Sequence, residues 1–285
     1  MKRVILIVCL CFTLSAAGFA EGLSLKLTGG LYYMTGGDYN NIIQGRTDYF
    51  HSLSSLNITS DLQKLTLSAN LGLEFILDIT DNIGVGLGVA YLHATNDGTM
   101  QATTGSVSIQ EEFTPLVTSV PVMLNLHVTI PITEKVNIHL SGGPGVYFST
   151  LQFDRTTIDS TPSLALDETL SYDSTTRTKL GFQGTLGLEY GISDTVFMVL
   201  EATGRSAVAS GFNGPWSLIG SWVNGAIGDS GNSPVWYEEV QSGANYHPDM
   251  AVKDTAPIAS SLRNVRPVKI SVGGIGVQVG LKFYL

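Results

Sequence analysis

Apolar and polar residues alternate with a period of two along most of the chain. Leu71, Leu73 and Phe75, for example, alternate with Gly72 and Glu74. This alternation is typical of antiparallel strands with one apolar and one polar face. Eight segments share the pattern: Leu23–Tyr33, Leu65–Ile79, Ile83–Tyr91, Val120–Ile132, Val136–Phe148, Leu180–Ile192, Val196–Arg205 and Ile275–Leu285.

A short internal repeat connects six of these segments in pairs. Three polar residues stand between two apolar ones in Ile79–Ile83, Ile132–Val136 and Ile192–Val196. Because a three-residue loop keeps its flanking residues on one face, the repeats predict three tight hairpins. The opposite connections are long: Met34–Lys64, Ala94–Thr114, Ser149–Thr178 and Ala207–Arg266. Tight turns at one end and long loops at the other are typical of outer-membrane barrels.

The N-terminal segment Met1–Ala20 has the pattern of a secretory signal peptide. Lys2 and Arg3 precede an apolar run, and a small-x-small cleavage site ends at Ala20. Both cysteines lie inside this segment, so a mature chain starting at residue 21 would contain none. No later stretch approaches 18 uninterrupted apolar residues, which excludes helical membrane spans. We therefore expect residues 21–285 to form one barrel domain in the cell outer membrane.

Composition narrows the class of protein further. The chain has 15 Lys and Arg against 24 Asp and Glu, a balance that argues against nucleic acid as a partner. Apolar residues make up 44%, enough for a folded chain. Charged residues make up 14%, whereas about 25% is usual in soluble proteins. Much of the surface is therefore expected to face something other than water.

The distribution of side chains between the two faces favours lipid on the outside. The polar face carries Gly, Ser, Thr, Asn and Gln, whereas a soluble, lipocalin-like barrel would carry many Lys and Glu there. Aromatic residues on the apolar face stand near the segment ends, as in two interfacial girdles. These are Tyr33, Tyr91 and Phe148 beside the long loops, and Tyr190 and Phe283 beside the tight turns.

Four runs of residues give the chain a family resemblance. They are Pro121–Leu126, Gly142–Tyr147, Gly184–Tyr190 and Gly280–Leu285. With them the chain resembles the small outer-membrane β-barrel families typified by OmpX, OmpW and the membrane part of OmpA. The resemblance implies that the barrel-assembly machinery recognises the C-terminal strand, which has Leu285 last and Phe283 two residues before it.

Pattern and resemblance together predict one fold class. It is all-β: an eight-stranded antiparallel up-and-down transmembrane barrel with long extracellular loops and tight periplasmic turns. A ten-stranded barrel that takes an extra hairpin from the last loop is the alternative. The alternation slips at Gly273-Gly274, where we expect a β-bulge.

The interior of such a barrel would hold several charged residues. The hairpin register places Glu74 opposite Gly88 and Glu201 opposite Gly187. Because an eight-stranded barrel is only wide enough for side chains to fill, unpaired charges inside it are costly. We therefore predict a plug of ion pairs and hydrogen bonds, with a gated ion path as the alternative. The plug residues are Lys26, Glu74, Glu189, Glu201 and Lys282, joined by Arg205, Gln183 and Gln278.

No catalytic, cofactor or metal site is expected. His127 and His139 project inward and are interpreted as satisfied lumen histidines. A pH-sensitive pair or half of a metal site is the alternative for them. His93 follows the third alternating segment, Ile83–Tyr91. It is the one candidate base of a Ser/His/acid set, and we interpret it as part of the aromatic belt.

The features that distinguish this chain from other barrels lie in its long loops. The 207–266 loop holds Trp216, Trp222 and Trp236, which either contact an extracellular partner or pack the loop into a cap over the barrel mouth. The first loop is expected to form a short amphipathic helix lying on the lipid headgroups. Its apolar residues are Tyr39, Ile42, Ile43, Tyr49, Phe50 and Leu53.

The function expected from these features is non-enzymatic. We predict a porin-like structural or interaction protein with outer-membrane lipids around it, a charged, plugged lumen and exposed loops. A narrow channel for ions or small solutes is the first alternative. A surface adhesin or receptor that acts through the 207–266 loop is the second.

Overall fold

The chain folds into one antiparallel sheet of sixteen strands with a single helix among the described residues. The computed structural model describes residues 22–52, 57–105, 107–161, 165–223 and 225–285, so the predicted signal peptide lies outside it. The strands are β1 (Leu23–Met34), β2 (Asn57–Ser60), β3 (Leu67–Thr80), β4 (Ile83–Thr95), β5 (Gly98–Thr104), β6 (Val107–Pro131), β7 (Val136–Asp159), β8 (Leu166–Asp173), β9 (Arg177–Gly191), β10 (Val196–Ser210), β11 (Asn213–Trp222), β12 (Gly225–Ser242), β13 (Asn245–Val252), β14 (Leu262–Pro267), β15 (Lys269–Ser271) and β16 (Gly274–Tyr284). The helix is α1 (Asp38–Ser52).

The strand count differs from the prediction. The all-β antiparallel class is confirmed, but both eight and ten strands are wrong, because the sheet has sixteen. Eight strands, which we call the ring strands, pair in the cyclic order β1-β3-β4-β6-β7-β9-β10-β16 and back to β1. Seven of the remaining eight strands and α1 lie in the segments that the sequence assigned to long loops, and β15 follows the last of these segments. Those segments are therefore largely regular structure.

The three repeats form hairpins that share one side-chain cap, although the register shifts between Asp78 and Thr80 in the first hairpin. The first polar residue of each is Thr80, Thr133 or Ser193, and its hydroxyl accepts hydrogen bonds from the backbone N–H groups two and three residues further on. This side-chain cap replaces bonds that the turning backbone lacks. The hairpin registers place Glu74 opposite Gly88 and Glu201 opposite Gly187, as the sequence predicted.

The ring strands have apolar side chains outside and polar side chains inside. Leu71 is 65% exposed and Leu188 50% exposed, whereas Glu74 is 7% and Glu189 0% exposed. A water-soluble barrel of this size would show the opposite arrangement. The outward band of exposed leucine, isoleucine and valine is therefore suited to contact with acyl chains.

Further along the same strands, this arrangement inverts. On β7, Leu140 and Phe148 point outward and are exposed, whereas Leu151 and Phe153 point inward and are buried. Neighbouring β6 changes in the same way, with Leu124 exposed and Val117 buried. The strands thus pass from a section with a polar interior into a section with an apolar core and a polar outer face, which we call the upper section.

Helix α1 lies inside this upper section. Tyr39, Ile42 and Ile43 are buried in the same cluster as Met34 and Ile270. The prediction of a helix in the first loop is confirmed, but its placement on the lipid headgroups is wrong, because its described apolar residues pack into the protein core. Leu53, also assigned to this helix, lies outside the described residues. In the part of the chain described, no helix is long and apolar enough to span a membrane.

The expected β-bulge at Gly273-Gly274 is absent from the described pairing. Arg205 pairs with Gly274 and Val208 with Ser271, so the register between β10 and the β15–β16 segment does not shift. Ile275 is exposed, whereas Val272 is buried. The slip in the sequence pattern therefore marks the inversion of the two faces and not an extra residue.

Candidate functional site

The candidate site is a network of buried charged side chains inside the ring of strands. All six charged residues that the sequence assigned to a plug are buried: Lys26, Glu74, Glu189, Glu201, Arg205 and Lys282. They come from β1, β3, β9, β10 and β16. Their inward direction follows from the two-residue period of each strand.

Lys26 is the centre of this network. Its Nζ lies 2.9 Å from Glu74 Oε2 and 2.8 Å from Glu201 Oε1. Lys26 and Glu74 are directly opposite in the β1–β3 register, while Glu201 reaches across from β10. Glycine opposite Glu201 makes that reach possible, because a Cβ on Gly187 would lie 2.8 Å from Glu201 Cγ.

Amides extend the network toward the apolar core. Gln278 donates a hydrogen bond through Nε2 to Glu201 Oε2, and its Oε1 accepts one from Asn70 Nδ2 at 3.1 Å. Arg205 donates through Nη2 to Gln183 Oε1 at 2.8 Å. Its guanidinium also lies 4.5 Å from the centre of the Tyr32 ring, in cation–π geometry.

A second group of contacts lies nearer the hairpin end of the ring. Lys282 Nζ is 3.2 Å from Glu189 Oε1, and His127 Nε2 is 2.9 Å from Glu74 Oε1. His139 is fully buried, with its Nδ1 3.5 Å from Glu189 Oε1 and its Nε2 3.6 Å from Glu201 Oε1. These two separations exceed good hydrogen-bond distance, so the imidazole of His139 is packed rather than bonded.

The network is balanced in charge. Three buried cations, Lys26, Arg205 and Lys282, occupy the same interior as the three carboxylates of Glu74, Glu189 and Glu201. Among the described residues, no group of three or more His, Cys, Asp or Glu side chains could hold a metal ion. A balanced, hydrogen-bonded set of this kind limits the cost of burying each charge.

Space inside the ring is limited. A cavity of about 40 Å³ is bordered by Lys26, Asn70, Glu74, Asn125 and Arg205. At roughly 10–15 Å³ for each water, it holds about three molecules. The Oδ1 atoms of Asn70 and Asn125 and the Nη1 of Arg205 are buried without a protein partner, and water is the natural partner for them.

Sequence reasoning missed a second, partly buried ionic cluster, in the upper section. Arg46 of α1 pairs with Glu111 of β6 and Asp249 of β13, the latter at 3.0 Å. Burial would lower the pKa of Arg46, but the two carboxylates hold this pKa above its usual value. At the start of the helix, both Asp38 oxygens accept hydrogen bonds from Arg266. No spacing in the sequence joins these distant residues.

The three tryptophans differ in their surroundings. Trp216 donates from Nε1 to Ser233 Oγ at 2.9 Å, and Trp236 donates to the Lys253 carbonyl at 2.9 Å. Trp222 is exposed near the end of the β11–β12 hairpin, close to exposed Val223. The first two indoles thus hold the upper section together, whereas Trp222 faces solvent.

Comparison with known proteins matches most of the chain to one family model. A family described as outer membrane protein beta-barrel domain matches residues 6–247. No curated protein matches the chain. Among solved structures, a major outer membrane protein from Thermus thermophilus is 12% identical. That alignment covers 92% of this chain and 99% of the other, with a TM-score of 0.34, an overlap too low to inform on the fold.

Proposed function

Because the chain belongs to the outer membrane protein beta-barrel domain family, we propose that it is a sealed outer-membrane scaffold. In this proposal the ring strands cross the bilayer, the charged network closes their interior, and the upper section presents an extracellular surface. The protein carries out no catalysis. The observation that carries the proposal is the balanced network around Lys26, which occupies the lumen.

The length of the exposed apolar band supports a membrane placement for the ring. Between Ile138 and Phe148 the outward-pointing residues of β7 are apolar and at least partly exposed, over about ten residues or ~33 Å of strand. At a strand tilt of about 40°, this corresponds to ~25 Å along the membrane normal, the height of the apolar band in outer-membrane barrels. The inversion of faces after Phe148 then marks the outer boundary of the hydrocarbon layer.

Two successive barriers support a sealed interior. The first is the charged network inside the ring. The second is the apolar core of the upper section, where Ile42 and Ile43 of α1 pack with Leu65 and Phe212. A solute would have to displace both layers in order to cross.

Non-enzymatic action is supported by how the titratable groups are used. Lys26, Glu74, Glu201, Glu189 and Lys282 are paired with one another inside the protein. A catalytic acid or base must instead reach a substrate atom within hydrogen-bond distance. We also propose that the assembly machinery recognises the C-terminal strand, as the resemblance implies.

Specific observations favour each of two other candidate functions. The cavity of about 40 Å³ with its unpartnered amide and guanidinium atoms favours a narrow water-filled channel. Exposed Trp222 and Val223 at the hairpin end favour contact with an extracellular partner. Contact with an extracellular partner is compatible with a sealed lumen, whereas a water-filled channel is not.

Conductance across a planar bilayer tests the sealed-scaffold proposal. We expect the folded full chain to give no steady current steps, because ion pairs fill the narrow lumen. The Glu74→Gln variant is the probe of the network, and Leu71→Ala on the lipid-facing side is its control. Steady steps of nanosiemens size that change with Glu74→Gln and not with Leu71→Ala would contradict the proposal and favour the channel.

A further inference from the structure

The outer face of the upper section carries an open groove of about 570 Å³. It crosses β4, β6, β7, β8 and β11, where neighbouring strands are paired in register. Leu116 is opposite Gln152, and Gln152 is opposite Asp173, so these three side chains form a row across the groove. A volume of this size is within the usual range of small-molecule sites.

The height of the groove is fixed by the apolar band beneath it. Gln152 and Asp154 follow Phe148 on the same face of β7, and Phe148 is the last exposed aromatic residue of the band on that strand. The step of four residues from Phe148 to Gln152 corresponds to about 13 Å of strand, or ~10 Å along the membrane normal at the tilt of such barrels. The groove therefore stands in the layer of lipid headgroups.

The lining of the groove selects for uncharged, hydroxyl-rich groups. Gln152 donates through Nε2 to Asp173 Oδ1 at 2.8 Å, which fixes both side chains. Asp154 and Ser171 add acceptor and hydroxyl groups, and Leu116 and Pro215 add a small apolar surface. Among the described residues lining the groove there is no Lys or Arg, so a phosphate would meet the two carboxylates of Asp154 and Asp173 with only the imidazole of His93 to compensate them.

We propose that this groove binds the saccharide headgroup of a neutral glycolipid in the outer leaflet. Carboxylate and amide groups bind sugar hydroxyls, while the apolar surface of Leu116 and Pro215 covers the C–H face of a sugar ring. The proposal rests on the membrane placement given above, because that placement sets the groove at headgroup height. The bound lipid would then form a fixed part of the boundary around the ring.

Lipid retention by the folded full chain in nanodiscs tests this assignment. The discs contain phosphatidylglycerol and digalactosyl diacylglycerol with matched acyl chains, and native mass spectrometry counts the lipids retained after partial delipidation. We expect the galactolipid to be enriched about tenfold over phosphatidylglycerol. Asp173→Ala and Gln152→Ala should each abolish most of this enrichment, since one lost hydrogen bond corresponds to about a tenfold change in affinity. Asp167→Ala, on the same face of β8 but outside the groove, should leave the enrichment unchanged.

Three results would overturn the assignment: equal retention of the two lipids, enrichment of phosphatidylglycerol, or enrichment that Asp173→Ala does not reduce. Saturation-transfer NMR with maltose separates free from lipid-linked sugar, because maltose binding without galactolipid enrichment would place a soluble saccharide in the groove instead. Heat-modifiable migration of the same samples reports insertion of the ring. A chain that inserts without galactolipid enrichment refutes the groove alone, whereas a chain that fails to insert refutes the membrane placement.

Discussion

Replacing Lys26 with methionine is expected to lower the free energy of unfolding by about 3–5 kcal/mol. The substitution removes the cation that Glu74 and Glu201 share at 2.9 and 2.8 Å. Two buried carboxylates then lose the ammonium group that they share, while Glu74 keeps its contact with His127 and Glu201 its hydrogen bond from Gln278. Removal of one member of a buried ion pair is costly for this reason, even where the intact pair adds little stability.

Urea unfolding of the protein in lipid vesicles measures this effect. Lys135→Met, in an exposed hairpin turn, is the matched control and should change stability by less than about 0.5 kcal/mol. The double variant Lys26→Met/Glu201→Gln should recover part of the loss, because it removes one of the two unpaired charges. Equal stability of Lys26→Met and Lys135→Met would show that the network contributes nothing to the closed lumen.

Arginine in place of Leu186 is expected to destabilise the membrane-inserted protein by about 2–4 kcal/mol. Leu186 is exposed on the outward face of β9, midway between exposed Leu180 and Ile192 and therefore near the middle of the apolar face of that strand region. A guanidinium at this position would have to enter hydrocarbon or deform the bilayer around it. In a water-soluble protein, the same exposed leucine would accept arginine at almost no cost.

The same strand provides the control for this second prediction. Thr178 of β9 is opposite Phe148, at the edge of the apolar band, and Thr178→Arg should cost only about 0–1 kcal/mol. Reversible unfolding in vesicles measures both variants under one condition. Equal costs for Leu186→Arg and Thr178→Arg would contradict a depth-dependent lipid contact.

The ring strands and their interior were predictable because local rules determine them. Three repeats fixed three hairpins, and the hairpin register then fixed which residues oppose each other. Glu74 and Gly88 are one such pair. The resemblance to outer-membrane barrels, drawn from the strand sequences, is confirmed by the family match over residues 6–247. The sequence predicted only that Lys26 and Glu201, on distant strands, lie at similar depth in the barrel. It could not predict their contact, because depth was counted along each strand from the turns.

The upper section was not predictable from the same rules, because its strands keep the period of two but exchange the two faces. Tyr147 points inward and is buried, and adjacent Phe148 points outward and is exposed. These two neighbouring apolar residues interrupt the alternation, so the sequence predicts that the strand ends there. In the structure, β7 continues to Asp159. The apparent slip at Gly273-Gly274 has the same physical origin. A change of surroundings from lipid to water reverses which face must be apolar.

A nitroxide scan along the outward face of β7 tests the central claim most directly. Both native cysteines lie within the first 20 residues, so a chain without that segment allows single cysteines to be introduced and labelled cleanly. In membranes, labels at positions 138, 140, 146 and 148 should be relaxed mainly by oxygen, and those at 150, 152 and 154 by a water-soluble nickel complex. The opposite order, or nickel access at position 140, would show that the apolar band does not face lipid.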